Sequence, residues 1–141
     1  MTQPRTDNVP AVIVAAAVLD DRGRVLAAQR SYPAHLAGYW EFPGGKVEPG
    51  ERDEDALVRE FSEELGTTID LAERIGGDWP VLEGYVLRLW TARLAPAAPE
   101  PRPLEHAALD WVPPESLHQV DWLPSDRAIT AHLQAVLLGQ P

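Results

Sequence analysis

Apolar residues in this chain fall in short runs broken by turn residues, and the period becomes helical in two places. Ala11–Leu19 is nine residues long and wholly apolar. It reads as a buried strand, ended by the turn Asp20-Asp21-Arg22-Gly23. Arg24–Gln29 is its expected hairpin partner, and Trp40–Phe42 is a short strand leading into the loop Pro43-Gly44-Gly45. Thr67–Ile75 reads as a strand closed by Gly76-Gly77-Asp78, and Tyr85–Leu94 is expected to be the longest strand. Ala107–Val112 is the last, ending at Pro113-Pro114. Between Ala95 and Pro103 lie four prolines, which mark a semi-rigid loop and a candidate flap. The helical segments are Asp53–Leu65 and a second running to about Leu138, with Ser125 as its expected cap. Ile129, Leu133, Val136 and Leu137 form one stripe of the second, and Gly139 lies past its end. A mixed sheet with one helix on each side follows, an α/β/α sandwich.

Composition narrows the class. A chain of 141 residues is long enough for one domain with a real core, expected over 9–141, behind a loose polar tail at 1–8. Apolar content of 45% with five tryptophans is globular. There is no cysteine, which rules out thiolate chemistry and suits a reducing interior, so the expected location is cytoplasmic. The start has no basic-plus-apolar leader, and the nine-residue apolar run is far short of a membrane span. A net charge of −10 argues against binding nucleic-acid polymers, whose phosphates call for lysine and arginine. A small phosphorylated substrate is admissible if a metal ion carries the neutralising charge.

The candidate chemistry lies on the first helix. At about 100° per residue, Glu60, Glu63 and Glu64 fall on one face, and Leu57, Val58, Phe61 and Leu65 on the adjoining, core-facing one. Like charges at this spacing destabilise a helix by roughly 0.2–0.5 kcal/mol per pair, so something cationic must offset them. Mg²⁺, or Mn²⁺, is the natural candidate, because it prefers carboxylate oxygen and keeps positions open for water and phosphates. Ahead of the helix, Phe42-Pro43-Gly44-Gly45 lets the backbone approach a ligand, and Glu48-Pro49-Gly50-Glu51 makes a second tight turn. A carbonyl of Gly44 or Gly45 is a candidate further ligand.

The stretch Gly45–Gly66, GKVEPGERDEDALVREFSEELG, resembles the Nudix box. Gly45, Glu51, Arg59, Glu60, Phe61, Glu63, Glu64 and Gly66 all fit that pattern. Thr67, where the pattern has an aliphatic residue, departs from it. The order of elements over residues 9 to 139 is likewise similar to the Nudix fold. The resemblance implies cleavage of a phosphoanhydride, with Glu60, Glu63 and Glu64 and the Gly44 carbonyl binding Mg²⁺ or Mn²⁺. Glu60 would also orient or deprotonate the attacking water, while Arg59 and Glu51 pair to brace the loop against the helix. Glu105, six residues before Trp111, matches the position of an additional metal-binding or basic carboxylate in MutT-type members; its alternative is a solvated loop residue.

The run Trp40–Glu48 also resembles MutT-type nucleoside triphosphate pyrophosphohydrolases, which release pyrophosphate and a monophosphate. By the same resemblance, Arg30, His35 and Phe42 are substrate-binding, and Asp126 meets the base. An ionised aspartate there only accepts, which suits the amine of cytosine or the two donors of 2-hydroxyadenine and leaves 8-oxo-dGTP admissible. Its alternative is a helix-dipole role. The Pro-small-Asp-Arg run Pro124–Arg127 is similar to the subgroup that cleaves CTP and 5-methyl-dCTP. Other diphosphatase chemistry, on ADP-ribose or dinucleoside polyphosphates, and an inactive nucleotide-sensing module are the competing readings. The chain is expected as a monomer or homodimer, with Trp79, Trp90 or Trp122 exposed at an interface or base pocket.

Overall fold

A computed structural model describes residues 11–140, so the expected tail at 1–8 lies outside the described residues. The strands are β1 (Ala11–Val18), β2 (Val25–Gln29), β3 (Trp40–Glu41), β4 (Gly44–Lys46), β5 (Ile69–Pro80), β6 (Tyr85–Leu94) and β7 (Ala108–Val112). The helices are α1 (Asp53–Leu65) and α2 (Arg127–Leu137). They make a four-stranded mixed sheet, β4-β1-β6-β5, beside a three-stranded one, β3-β2-β7. β1 runs parallel to β6 over its whole length, and the other pairings are antiparallel. This is the expected α/β/α sandwich with its mixed sheet.

Both faces of β1 are buried, which is why its sequence is continuously apolar. Val14, Ala16 and Val18 face α1 through Ala56, Leu57, Phe61 and Leu65. Ala15 and Ala17 face the other layer, with Phe42, Leu117, Trp122, Ile129 and Leu133. The alanines let both layers approach closely. Among the described residues no helix is long and apolar enough to cross a membrane.

Several expectations are corrected. β2 does not return as a hairpin on β1; only the bridge Leu19–Val25 joins them, and β2 pairs instead with β3 and β7. The Asp20 carboxylate accepts from the backbone of Arg22 and Arg24 and from the Arg24 guanidinium, turning the chain sharply into the second sheet. The longest strand is β5, with 12 residues against 10 for β6. Gly76-Gly77-Asp78 and Trp79-Pro80 lie inside β5 at an irregularity in its register between Ile75 and Trp79, not in a loop. There the Trp79 indole folds back over Gly76 and donates to the Ile75 carbonyl. Val58 and Val136 are exposed rather than core-facing. Trp90 and Trp122 are buried, so neither lines an exposed interface, and Trp79 is half-buried against His132 of α2.

The proline-rich segment is not a flap. Thr67, the departure from the expected aliphatic residue, is buried and donates its hydroxyl to the Pro99 carbonyl at 2.5 Å. Backbone amides of Arg102 and Leu104 then donate to the carbonyls of Leu65 and Glu64. These are among the carbonyls that the end of α1 leaves without an intrahelical partner. Gly66, at φ 63°, supplies the left-handed turn that lets the chain leave the helix there.

Candidate active site

The two glycines Gly44 and Gly45 lie in strand β4 rather than in a loop, paired with Ala15 and Val14 of β1. Close approach, not positive φ, explains them. A Cβ on Gly44 would overlap the Val14 carbonyl, and one on Gly45 would overlap the Glu60 carboxylate. The bare backbone of β4 therefore lies directly on the acidic face of α1.

Arg59 organises that face. Its guanidinium grips Glu51 through two bonds of 2.8 and 3.0 Å, and donates to Glu60 at 2.9 Å, to Glu63 at 3.2 Å and to the Lys46 carbonyl at 3.2 Å. The repulsion expected among the three glutamates is thus offset in part by an arginine of the same helix. Glu63 is the most exposed of them, 57% against 14% for Glu60, and is turned toward Arg59. Burial raises the Glu60 carboxyl above its ordinary range against the opposing pull of Arg59.

Glu64, beside Glu60, has no ion pair with a cation among the described residues. Burial first, then the charges of Glu60, Glu41 and Glu105, push its carboxyl up to about 8. Its Oε2 is buried without a hydrogen-bond partner. An orphaned carboxylate oxygen amid three other carboxylates is the donor set that a hard divalent cation takes, so these residues fit Mg²⁺ or Mn²⁺. The fit is one of donor chemistry: among the described residues no three such side chains are gathered to hold a metal ion, and Glu63 is turned to Arg59.

Glu105 lies on the exposed rim of a small cavity of about 30 Å³, shared with Arg30, Glu41, Glu64 and His106. The Ser31 hydroxyl holds its carbonyl at 2.9 Å. Between these groups sits Glu41, to which the sequence reading gave no role. Its carboxylate accepts from Arg30 at 2.9 Å on one oxygen and from His106 Nε2 at 2.9 Å on the other. Its only sequence signal is a lone acid between Trp40 and Phe42 in a short strand.

A cleft of about 560 Å³ opens beside this cluster, a size suited to a nucleotide. It brings Arg30, Phe42, Gly44, Glu64 and Asp126 together along one wall system. Phe42 is stacked on Trp122 at 4.6 Å and 24° between rings, which fixes its floor. Tyr32, Leu36, Val81 and Leu82 also line it, and sequence reasoning named none of them. His35 is exposed on the turn after β2 and lies outside the lining. A second groove of about 540 Å³ at the far end of β1, near Asp20 and Trp111, holds none of the expected residues.

Asp126 reaches the cleft because the segment before α2 is bonded to β3. The Trp40 amide donates to the Asp121 carbonyl, and the Leu123 amide to the Trp40 carbonyl, both at 2.9 Å. A single 3-10 turn, Pro124–Asp126, then leads into α2. Ser125 does not cap this helix; the residue at the capping position is Asp126, and its side chain makes no capping bond. Asp126, taken from the sequence as an ionised acceptor, is only 4% exposed. Burial, then the charge of Glu41, raises its carboxyl to about 7 against the smaller pull of Ser125 and Arg30.

Known proteins match this chain over most of its length. The family model described as NUDIX domain matches residues 9–133. A Mycobacterium tuberculosis protein provisionally named 8-oxo-dGTP diphosphatase 2 is 46% identical over 132 residues, covering 91% of each chain. The CTP pyrophosphohydrolase of Escherichia coli is 34% identical over 128 residues, 91% of this chain and 95% of that one. The solution structure of the E. coli ORF135 protein superposes with a TM-score of 0.76 at 34% identity, covering 93% of both chains.

Proposed function

Because this chain belongs to the Nudix family and is a pyrophosphohydrolase of that family acting on nucleotides, we propose that it hydrolyses free nucleoside triphosphates to monophosphate and pyrophosphate with Mg²⁺. The substrates proposed are CTP, dCTP and 5-methyl-dCTP, or oxidised nucleotides such as 8-oxo-dGTP and 2-hydroxy-dATP. The relatives named for CTP and for 8-oxo-dGTP support that range. The observation that carries the reading is one cleft lined both by the orphaned carboxylate Glu64 and by the buried Asp126.

Anhydride cleavage is slow because anionic oxygens repel the incoming water, so catalysis is mainly alignment and charge neutralisation. Glu60, Glu63, Glu64 and the Gly44 carbonyl would hold Mg²⁺, which would supply neutralising charge and make water more acidic. Arg59 and Glu51 hold β4 and its following loop against α1 so that the ligand carboxylates keep their spacing. Glu60 or Glu105 takes the proton of the attacking water. Arg30, held straight by Glu41, reaches the phosphates, Phe42 on its Trp122 support gives the base a flat surface, and Asp126 meets the base edge. The apolar cleft walls exclude water from the nucleoside.

Incubation with Mg²⁺ and a panel of triphosphates, separated by ion exchange, is expected to yield monophosphate and pyrophosphate. Orthophosphate alone, or no turnover of any triphosphate, would overturn the proposal. Glu64→Gln is expected to lower kcat by roughly 10²–10³-fold while circular dichroism stays unchanged; near-normal turnover would remove Glu64 from the site.

A further inference from the structure

One row of the sheet passes beneath α1 and ends on an arginine to which the reaction gives no task. Gly45 on β4, Val14 on β1 and Arg88 on β6 are register partners across neighbouring strands. All three face α1: Val14 packs on it, a Cβ on Gly45 would meet Glu60, and Arg88 reaches Asp53. Asp53 and Glu60 are two helical turns apart. Seven residues of helix rise about 10.5 Å, and two strand spacings come to about 9.6 Å. The helix therefore crosses this row with Asp53 over β6 and Glu60 over β4. Arg88 Nη1 donates to the Asp53 carboxylate at 2.6 Å. Its Nε and Nη2 donate to the two oxygens of Asp78 at 2.9 and 3.3 Å. Opposite Arg88 on β5 stand three residues, Gly76 to Asp78, where a regular ladder has one. Two residues beyond Asp78 the strand ends, and its turn brings Val81 and Leu82 into the cleft wall.

Resting on the proposed reaction, we propose that Arg88 is a positioning residue that sets the helix bearing Glu60, Glu63 and Glu64 against the cleft wall at Val81 and Leu82. The two ends of one substrate, phosphates and nucleoside, are thereby received at a fixed separation. The arm to Asp53 fixes where α1 lies along its own axis, and so where Glu60 meets β4. The arm to Asp78 fixes the β5–β6 turn. A guanidinium can hold both carboxylates at once because its donors fork in one plane, which an ammonium does not provide. Arg88 itself does not line the cleft. Its side chain is 29% exposed and that of Asp78 46%. Partly exposed pairs of this kind add little to stability, so variants should fold, and a kinetic change reports position rather than unfolding.

The two arms are separable by kinetics on the best-cleaved triphosphate of the panel, with Mg²⁺ present. Asp53→Asn, which releases the helix, is expected to lower kcat about tenfold and to move KM less. Asp78→Asn, which releases the turn, is expected to raise KM about threefold or more and to move kcat less. Arg88→Gln should show both effects, and Arg88→Lys should recover at most one of them. A lower Tm with unchanged kcat and KM in Arg88→Gln would reduce the residue to a structural pair and overturn the proposal. So would a reversed split, or two arms that move the same constant. Hydrogen exchange in the metal-free protein tests the tie without turnover. Arg88→Gln should speed exchange about threefold or more both in α1 and in the turn after β5. Wild-type rates at either place would refute the tie even if every triphosphate is cleaved. If both places exchange faster but no triphosphate is cleaved, the proposed reaction fails and the tie stands.

Discussion

Arg59 shows how one side chain offsets the repulsion among acids on its own helix. Glu60 and Glu63 flank it at positions i+1 and i+4, and without it both would repel each other across one turn. The planar guanidinium spreads its donors over Glu51, Glu60, Glu63 and the Lys46 carbonyl, which an ammonium cannot do. Three of its five bonds, two to Glu51 and one to the Lys46 carbonyl, tie α1 to the segment ahead of it, so the fixed geometry is that of the site and not only of the helix. Arg59→Lys is therefore expected to cost roughly 1–3 kcal/mol in urea denaturation. It should also lower kcat, because Glu60 loses its lateral hold. Unchanged stability together with unchanged kcat would show that the network is incidental. Gly45 imposes a matching constraint from the strand side: any Cβ there displaces the Glu60 carboxylate. The resemblance made the Arg59–Glu51 pair legible, but not the hold of Arg59 on Glu60 and Glu63 or the room that Gly45 leaves for Glu60, which depend on how β4 lies on α1.

The element that carries the site, α1, is secured at its C-terminal end by the distant segment Pro99–Leu104. Carbonyls of Leu65 and Glu64 are taken by amides of Arg102 and Leu104, and Thr67 reaches across to Pro99. The proline-dense stretch reads in sequence as a loop, and it is one, but its task is to terminate a helix. That task was not legible, because a buried threonine hydroxyl has no periodic signature and its partner is a carbonyl of any residue type. The same limit hid Glu41, Val81 and Leu82, which enter the cleft through the pairing of distant strands. Asp126 was legible as a candidate but not in its protonation, which depends on neighbours from β2 and β3 that no local pattern brings together. Thr67→Val, which restores an aliphatic residue at the box's last position, is expected to lower stability by about 1 kcal/mol and Tm by roughly 2–4 °C. A rise in Tm on calorimetry would mean that packing outweighs the lost bond.

At the scale of the whole molecule, the layering was legible from periodicity, and the division into two sheets was not. The turn after β1 looks in sequence like an ordinary hairpin, and only tertiary pairing sends β2 to β3 and β7. That division opens the cleft, with α1 and β4 on one side and the segment before α2 on the other, and it buries acids that would otherwise be solvated. The consequence is a stability that depends on pH. Carboxyls held low by arginine, such as Asp20, Glu51 and Asp78, stabilise the fold above their unfolded values near 4 and lose that contribution in acid. Asp126 and Glu64 act oppositely. Their carboxyls rise from 3.8 to about 7 and from 4.5 to about 8. Between about pH 4 and pH 8 the folded chain binds more protons at these two sites than the unfolded chain does, so their contribution declines as pH rises through that window. The metal-free protein is therefore expected to melt at a lower temperature at pH 8 than at pH 5.5. Mg²⁺ should raise Tm more at pH 8, where it meets an ionised Glu64, than at pH 5.5, where it competes with a proton. Glu64→Gln should flatten the decline and shrink the Mg²⁺ gain together. Equal Mg²⁺ gains at both pH values in scanning calorimetry, or a Glu64→Gln variant with the wild-type decline, would refute the assignment of the buried charge to Glu64.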